Sequence, residues 1–172
     1  MRIQNIEDVP TIMEEFLGRT VFLSELLDGE YTILEDGYYD KLATVSYYTG
    51  KHYTVHGVIH DEVFYAFQVY DLDECHYLPA TDWVNFCELI DVRVVPVITI
   101  NNSPLFNIQD KLSARRWQEI CSALQPQLEA FHEQVGYVHK GMVISPVVEC
   151  HSFILDDRLT IKVMNPDYKR KK

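Results

Sequence analysis

Two lysines late in the chain, Lys140 and Lys162, and a group of acids early in it, Glu25, Asp28 and Glu30, are charged residues that could pair with one another or, in the motifs described below, serve phosphate chemistry. A lysine ammonium neutralises phosphate charge. A lysine amine whose pKa has been lowered can instead attack phosphorus, and neighbouring cations help to lower it. A carboxylate can hold a divalent metal, which then neutralises the phosphate and orients the leaving group. The acids stand in Ser24-Glu25-Leu26-Leu27-Asp28-Gly29-Glu30, where Leu26 offers neither a lone pair nor a charge. Simpler duties exist for each of these residues. Lys140 can pair with Glu25, Asp28 or Glu30, since a partly buried lysine needs such a partner. Asp28-Gly29 can be a turn, with the glycine supplying a positive φ. Gly141 can permit close approach of another backbone, and Val143 can be a plain strand residue.

Other clusters carry less. His52, His56 and His60 recur every four residues, a spacing that lines one face of a helix, but Tyr53-Thr54-Val55 between them is β-prone and argues for a strand. Cys75-His76 and Cys150-His151 are adjacent pairs, and neighbours on a strand point to opposite faces, so neither pair readily gives two ligands to one ion. The remaining cysteines, Cys87 and Cys121, complete no C-x-x-C pair, and the four thiols read as reduced. No metal-ligand set is expected from these residues. RNA contact rests only on the Arg115-Arg116 pair and the basic tail Lys169-Arg170-Lys171-Lys172, both of which also read as solvated surface.

The elements that must position the lysines and acids follow from apolar spacing. Asp8 and Pro10 open a short helix with Ile12, Met13, Phe16 and Leu17 on one face, closed by Gly18. Residues 20–27 form an apolar strand. Residues 31–34 and 42–48 read as a hairpin about Glu35-Asp36-Gly37, and 53–59 and 63–70 as strands. Thr81 caps a helix carrying Trp83, Phe86, Cys87 and Ile90. Residues 94–100 form a buried strand, and 111–135 a long helix kinked or divided by Pro126. Residues 141–148, 151–155 and 159–164 close the chain as strands, the last two joined by a turn at Asp156-Asp157. Hairpins with helices inserted between them make this an α+β chain of antiparallel β-sheets.

Composition fits that frame. The chain has 172 residues, 47% of them hydrophobic and 24% charged, enough for one domain with a sizeable core. Residues 1–168 read as that single domain and 169–172 as a disordered tail. The net charge of −11 opposes nonspecific nucleic-acid binding, which draws its affinity from neutralised phosphates. No apolar run has the length of a membrane span and Met1-Arg2-Ile3-Gln4-Asn5 lacks a signal-peptide core, so the cytoplasm is the expected compartment.

In order along the chain, four segments resemble the motifs of the nucleotidyltransferase domain of RNA ligases, within the superfamily of DNA ligases and messenger RNA capping enzymes. They are 24–30, the aromatic strand 63–71, Lys140-Gly141-Met142-Val143-Ile144-Ser145-Pro146, and 160–168. The resemblance spans nearly the whole chain and implies the architecture of an ATP-grasp-like ligase adenylation domain. In that family a lysine of the first motif attacks the α-phosphate of ATP, a carboxylate of the fourth helps hold the metal, lysines of the fifth stabilise phosphate charge, and the base is clasped between an aromatic ring and an aliphatic side chain. Carried over by position, the nucleophile is Leu26 and the fourth-motif carboxylate is Lys140. The basic residue that follows is Ser145, the second fifth-motif lysine is Met164, a third-motif acid is Gln68, and an early arginine is Tyr47. Lys162 matches.

The resemblance therefore implies an RNA-ligase-like pseudoenzyme that binds a nucleotide or a protein partner, with no catalytic residue assigned. The expected nucleotide-binding residues are Glu25, Asp28, Gly29, Phe67, Lys140, Val143 and Lys162. ATP or another nucleotide is the expected ligand, with magnesium only if the protein is active. The alternative is an active ATP-dependent ligase in which Lys140 is a relocated nucleophile. A metal-free variant of the binding reading has Lys140 and Lys162 meeting phosphate directly.

Overall fold

The computed structural model describes residues 12, 15, 16, 19–100, 140–164 and 168. The expected helix at 111–135 with Arg115-Arg116, the tail 169–172, Cys121 and most of the N-terminal helix lie outside them. The chain divides into two compact units, Met1–Leu26 with Pro96–Lys172, and Leu27–Val95.

The first unit is built on a four-stranded antiparallel sheet. Its strands are β1 (Val21–Glu25), β6 (Val97–Ile100), β7 (Gly141–Pro146) and β10 (Ile161–Met164), in the order β10-β7-β1-β6. β1 is central and all five of its residues are buried, as the unbroken apolar run predicts for a strand covered on both faces. β7 alternates instead: Met142, Ile144 and Pro146 are buried while Val143 and Ser145 are half-exposed. The register aligns Leu23 with Ile144 and Ile144 with Ile161, so these three share the core face. Ile12, Phe16 and Leu159 are also buried in this unit's sequence. Burying one such side chain contributes about 1.5–3 kcal/mol. A small hairpin, β8 (His151–Ser152) and β9 (Asp157–Arg158), joins β7 to β10. The strand expected over 151–155 stops after Ser152, where the chain is tied to Glu15: the buried Ser152 hydroxyl and the Phe153 backbone amide both donate to its carboxylate, while Phe153 itself is exposed.

The second unit has the sheet β2 (Glu30–Glu35), β3 (Tyr53–His60), β4 (Val63–Asp71) and β5 (His76–Tyr77), antiparallel and in chain order. Two helices accompany it, α1 (Asp40–Thr49) and α2 (Ala80–Leu89). The first corrects the expected hairpin: 42–48 is helical. Leu42 and Ser46, four residues apart, are its buried residues. Gly50 closes it in the left-handed region at φ 66°, its amide donating to the Ser46 carbonyl. Thr81 is not the cap of α2. The helix begins after Pro79, with no side-chain cap, and the Thr81 hydroxyl donates to Asp82. α1 is tied to the end of α2 by the Tyr39 hydroxyl on the Ile90 carbonyl at 3.0 Å and by Lys41 on Asp91 at 2.6 Å. The core is Leu42, Val55, Ala66, Val69, Trp83, Cys87 and Ile90. Of the strand expected over 94–100, Val97–Ile100 is β6, whereas Val94 makes an isolated parallel bridge to Ala66.

Candidate functional site

In the first unit, register decides which motif residues share a face. Val97 lies opposite Ser24, Ser24 opposite Val143, and Val143 opposite Lys162, making one row across four strands. Leu26 continues the β1 ladder by donating its amide to the Gly141 carbonyl at 2.9 Å. Two residues on from Ser24, it belongs to the same face, in a second row with Gly141. The nucleophile position, the fourth-motif valine and the fifth-motif lysine are thus neighbours on one surface of the sheet.

Glu25 falls on the opposite face. It lies across from Met142, and both are buried, Glu25 at 3% exposure. A carboxylate one residue from Leu26 on an extended strand has to point the other way. The seven expected nucleotide-binding residues therefore do not form one set in this unit: Val143 and Lys162 share the Leu26 face, and Glu25 does not.

Lys162 is half-buried, and its pKa is held below the ordinary 10.5, first by burial and then by the charge of Lys140. Lys140, half-buried in the residue before β7, is thus close enough to repel it. Both causes expose a lone pair on Lys162 more readily than on an ordinary surface lysine.

Gly29, in the second unit, does not have a positive φ; among the described glycines, Gly50 and Gly141 do. It is required for space instead: a Cβ there would sit 2.3 Å from the Ile59 carbonyl oxygen. Asp28 is half-buried, and its backbone carbonyl accepts a hydrogen bond from His60 Nδ1 at 2.6 Å. The three histidines on and before β3 have separate duties. His52 pairs with Asp73 at 3.4 Å, His56 bonds Tyr31 and Thr54, and His60 holds Asp28. Among the described residues no group of three or more His, Cys, Asp or Glu side chains is arranged to hold a metal ion.

Phe67 occupies a β-bulge. His56 pairs with Gln68 and Gly57 with Ala66, so Phe67 is the extra residue on β4. Gly57 is at the bend because a Cβ there would meet the Tyr65 carbonyl and the Phe64 ring, both at 2.4 Å. Ala66 and Val69, on either side of Phe67-Gln68, are fully buried, while Phe67 and Gln68 are half-exposed. The bulge therefore turns Phe67 out beside Tyr31, with ring centroids 6.2 Å apart. Tyr31 continues to His56 at 6.0 Å, and His56 to Tyr77 at 5.7 Å. The Tyr31 hydroxyl and His56 Nδ1 share a hydrogen bond of 2.7 Å. Burial and the neighbouring Tyr77 push the Tyr31 phenol up. Sequence reasoning selected Phe67 and missed the rings around it. The available signal was Tyr31 and His56 at outward positions of successive strands.

The third-motif strand ends on Asp71, which is buried. Its carboxylate accepts the amides of Asp73 and Glu74, each at 2.9 Å, and pairs with Lys51 at 3.5 Å. Burial alone would raise its pKa; the two amides and Lys51 outweigh that and hold it below 3.8.

This arrangement of sheets has counterparts among solved structures. The chain superposes on an RNA ligase from Naegleria gruberi. A glutamate-to-alanine variant solved with ATP and Mn matches with a TM-score of 0.59 and 14% identity, covering 96% of this chain and 56% of that one. A lysine-to-methionine variant with AMP and Mn gives 0.55 and 13%, covering 95% and 56%, and the ligase with PPi gives 0.54 and 13% over the same shares. The chain has an RNA-ligase-like fold. It spans a little over half the length of the ligase chains it matches. No family model matches the sequence, and no curated protein matches it. Such low identity is compatible with a shared fold, because a core tolerates many simultaneous hydrophobic exchanges when volume and patterning are kept. No helix among the described residues is long and apolar enough to cross a membrane.

Proposed function

We propose that this RNA-ligase-like chain binds a nucleotide without forming a lysyl–nucleotide adduct at the first-motif position. The observation that carries the reading is the face shared by Leu26, Val143 and Lys162. The half-buried ammonium of Lys162 suits the phosphates of a nucleotide. Leucine at position 26 leaves no amine there to attack the α-phosphate. The fold supports a nucleotide as ligand, because structures of the Naegleria ligase contain ATP or AMP. The family resemblance adds Asp28 and Phe67 as nucleotide contacts. Glu25 and Gly29, also in that set, have structural duties as well: one is buried behind the β1–β7 pair, the other closed against Ile59. The cytoplasm remains the compartment we propose.

Heat-denaturation midpoints with and without ATP test the binding. A ligand present at about a hundred times its dissociation constant adds roughly 2.7 kcal/mol, or about 5–10 °C for a chain of this size. A shift that Lys162→Ala abolishes is the expected result. No shift with any nucleotide would overturn the reading and leave a protein-interaction scaffold in its place.

A further inference from the structure

The sheet of the second unit ends differently at its two edges. β5 is protected by being short: only His76 and Tyr77 pair with β4. β2, at the other edge, runs for six residues, with a register to β3 that has no bulge and a sequence without proline or lysine. Short strands, bulges, prolines and lysines are the usual means of keeping a sheet edge from pairing, and β2 has none of them. The ladder fixes which of its backbone groups face outward. Leu72 donates its amide to the His52 carbonyl at 2.9 Å. His52, Thr54 and His56 are therefore the positions of β3 bonded toward β4, and the alternate residues Val55 and Gly57 turn their groups to β2. Val55 and Gly57 lie opposite Leu34 and Thr32. Tyr31, Ile33 and Glu35 thus direct their amides and carbonyls away from β3. The Glu35 carbonyl is occupied there, accepting the amides of Tyr38 and Tyr39 at 3.0 and 3.1 Å. Among the described residues no strand pairs with the outward groups of Tyr31 and Ile33, and both side chains are exposed, at 56% and 39%.

We propose that β2 takes up an added antiparallel strand from another protein, and that this strand is cationic. Tyr31 and Ile33 offer donors and acceptors two positions apart, the pattern that an antiparallel partner completes. Charge selects the occupant. β2 carries an exposed carboxylate at each end, Glu30 and Glu35, and exposed Asp36 follows. Cations opposite Glu30 and Glu35 would stand five residues apart on the added strand, and each such pair favours the register. Between them, the residues opposite Ile33 and Tyr31 share the face on which the Tyr31 ring meets Phe67 and His56, where β-branched or aromatic side chains fit. A second copy of this chain would bring the same acids, and its net charge of −11 would meet an equal charge. The same charge repels a nucleic acid. The proposal goes beyond the nucleotide reading and does not depend on it, since it uses the backbone and carboxylates of β2 alone.

Isothermal titration calorimetry of the full chain with the end-capped peptide Ser-Lys-Thr-Val-Thr-Val-Lys-Ser tests this. In antiparallel register its lysines lie opposite Glu35 and Glu30 and its valines opposite Ile33 and Tyr31. The lysine peptide is expected to bind, and the same peptide with glutamate for both lysines to bind roughly tenfold more weakly, the difference shrinking at high salt. N-methylation of either valine amide, which faces β2, should abolish binding. N-methylation of the threonine between them, whose amide faces away, should change affinity by no more than about threefold. This comparison reads strand addition with no change to the protein. Ile33→Pro removes an amide that β3 does not use, so it should keep the thermal midpoint and lose the peptide. Equal binding of the lysine and glutamate peptides would overturn the cationic assignment. N-methyl peptides that bind equally, or fail equally, would overturn strand addition. No binding of the lysine peptide at millimolar concentration would overturn the whole proposal. A dimer in sedimentation velocity that Ile33→Pro dissolves would give the edge to a second copy and overturn the foreign strand. None of these titrations contains a nucleotide, so their failure leaves the nucleotide reading intact.

Discussion

Alanine at Gly29 would put its methyl carbon 2.3 Å from the Ile59 carbonyl oxygen and 3.0 Å from the carbonyl carbon, where ordinary van der Waals contact begins at 3.4 Å. The obstacle is backbone near the end of β3 that is paired on both sides: Ile59 lies opposite Glu30, the next residue along, and opposite Phe64 on β4. A flexible side chain could swing aside, but this carbonyl can only move with β3. Because Gly29 has no positive φ, no backbone strain adds to the clash, and the cost is that of overpacking, about 1–3 kcal/mol. For a chain of this length that lowers the thermal midpoint by roughly 2–12 °C. Urea unfolding followed by tryptophan fluorescence reads the same loss, since Trp83 is buried in the same unit at 4% exposure. Gly37→Ala is the internal control: nothing lies within 4 Å of its Cβ, and it should stay within about 0.5 kcal/mol of the parent. A Gly29→Ala protein as stable as the Gly37→Ala control would refute the steric account and return Gly29 to ligand contact as its main duty.

Asp71→Ala leaves the amides of Asp73 and Glu74 without their acceptor, a loss of about 1–3 kcal/mol in denaturant unfolding. Because the folded pKa of Asp71 lies below 3.8, its stabilisation is complete above the unfolded value and is lost as pH falls through the lower folded one; Asp71→Asn should flatten that acid limb in a pH series of unfolding midpoints. Cys87 is buried and its thiol is pushed up to about 12, so a thiol reagent at mildly alkaline pH should label exposed Cys75 in the native protein and Cys87 only after unfolding, as peptide mapping will show. Lys162 should titrate below 10.5 in side-chain NMR, and Lys140→Ala should move it upward without restoring it fully, because burial is the larger cause.

The legibility of the chain varied with the kind of information each feature needs. β1, β3 and β4 could be read from local composition, since Val21-Phe22-Leu23, Tyr53-Thr54-Val55 and Val63-Phe64-Tyr65 are β-prone runs and the structure makes them strands. α1 was misread for the same reason: Val45, Tyr47 and Tyr48 favour strands locally, but both tyrosines are exposed, at 83% and 80%, and only Leu42 and Ser46 are buried. Burial at a four-residue spacing together with the Gly50 stop outweighed the propensity. In the candidate site, the motif order identified Leu26, Val143 and Lys162, and the structure puts them on one face. It could not identify the face itself, which depends on the registers of β7 with β1 and of β10 with β7, pairings between residues more than a hundred positions apart in the first case. Alternation along β1 would have separated Glu25 from Leu26. The outward turn of Phe67 was not available at all, because the bulge exists only in the pairing of β3 with β4.

The account turns on leucine at position 26, and the direct measurement is a covalent one. The native protein is incubated with α-labelled ATP and magnesium, then resolved on a denaturing gel. The account predicts no label on the chain, even where calorimetry shows ATP bound, because the first-motif position has no amine to form the phosphoramide bond. A labelled band would contradict it. Its disappearance in Lys140→Ala protein would identify Lys140 as a relocated nucleophile, and its disappearance in Lys162→Ala alone would assign that role to Lys162.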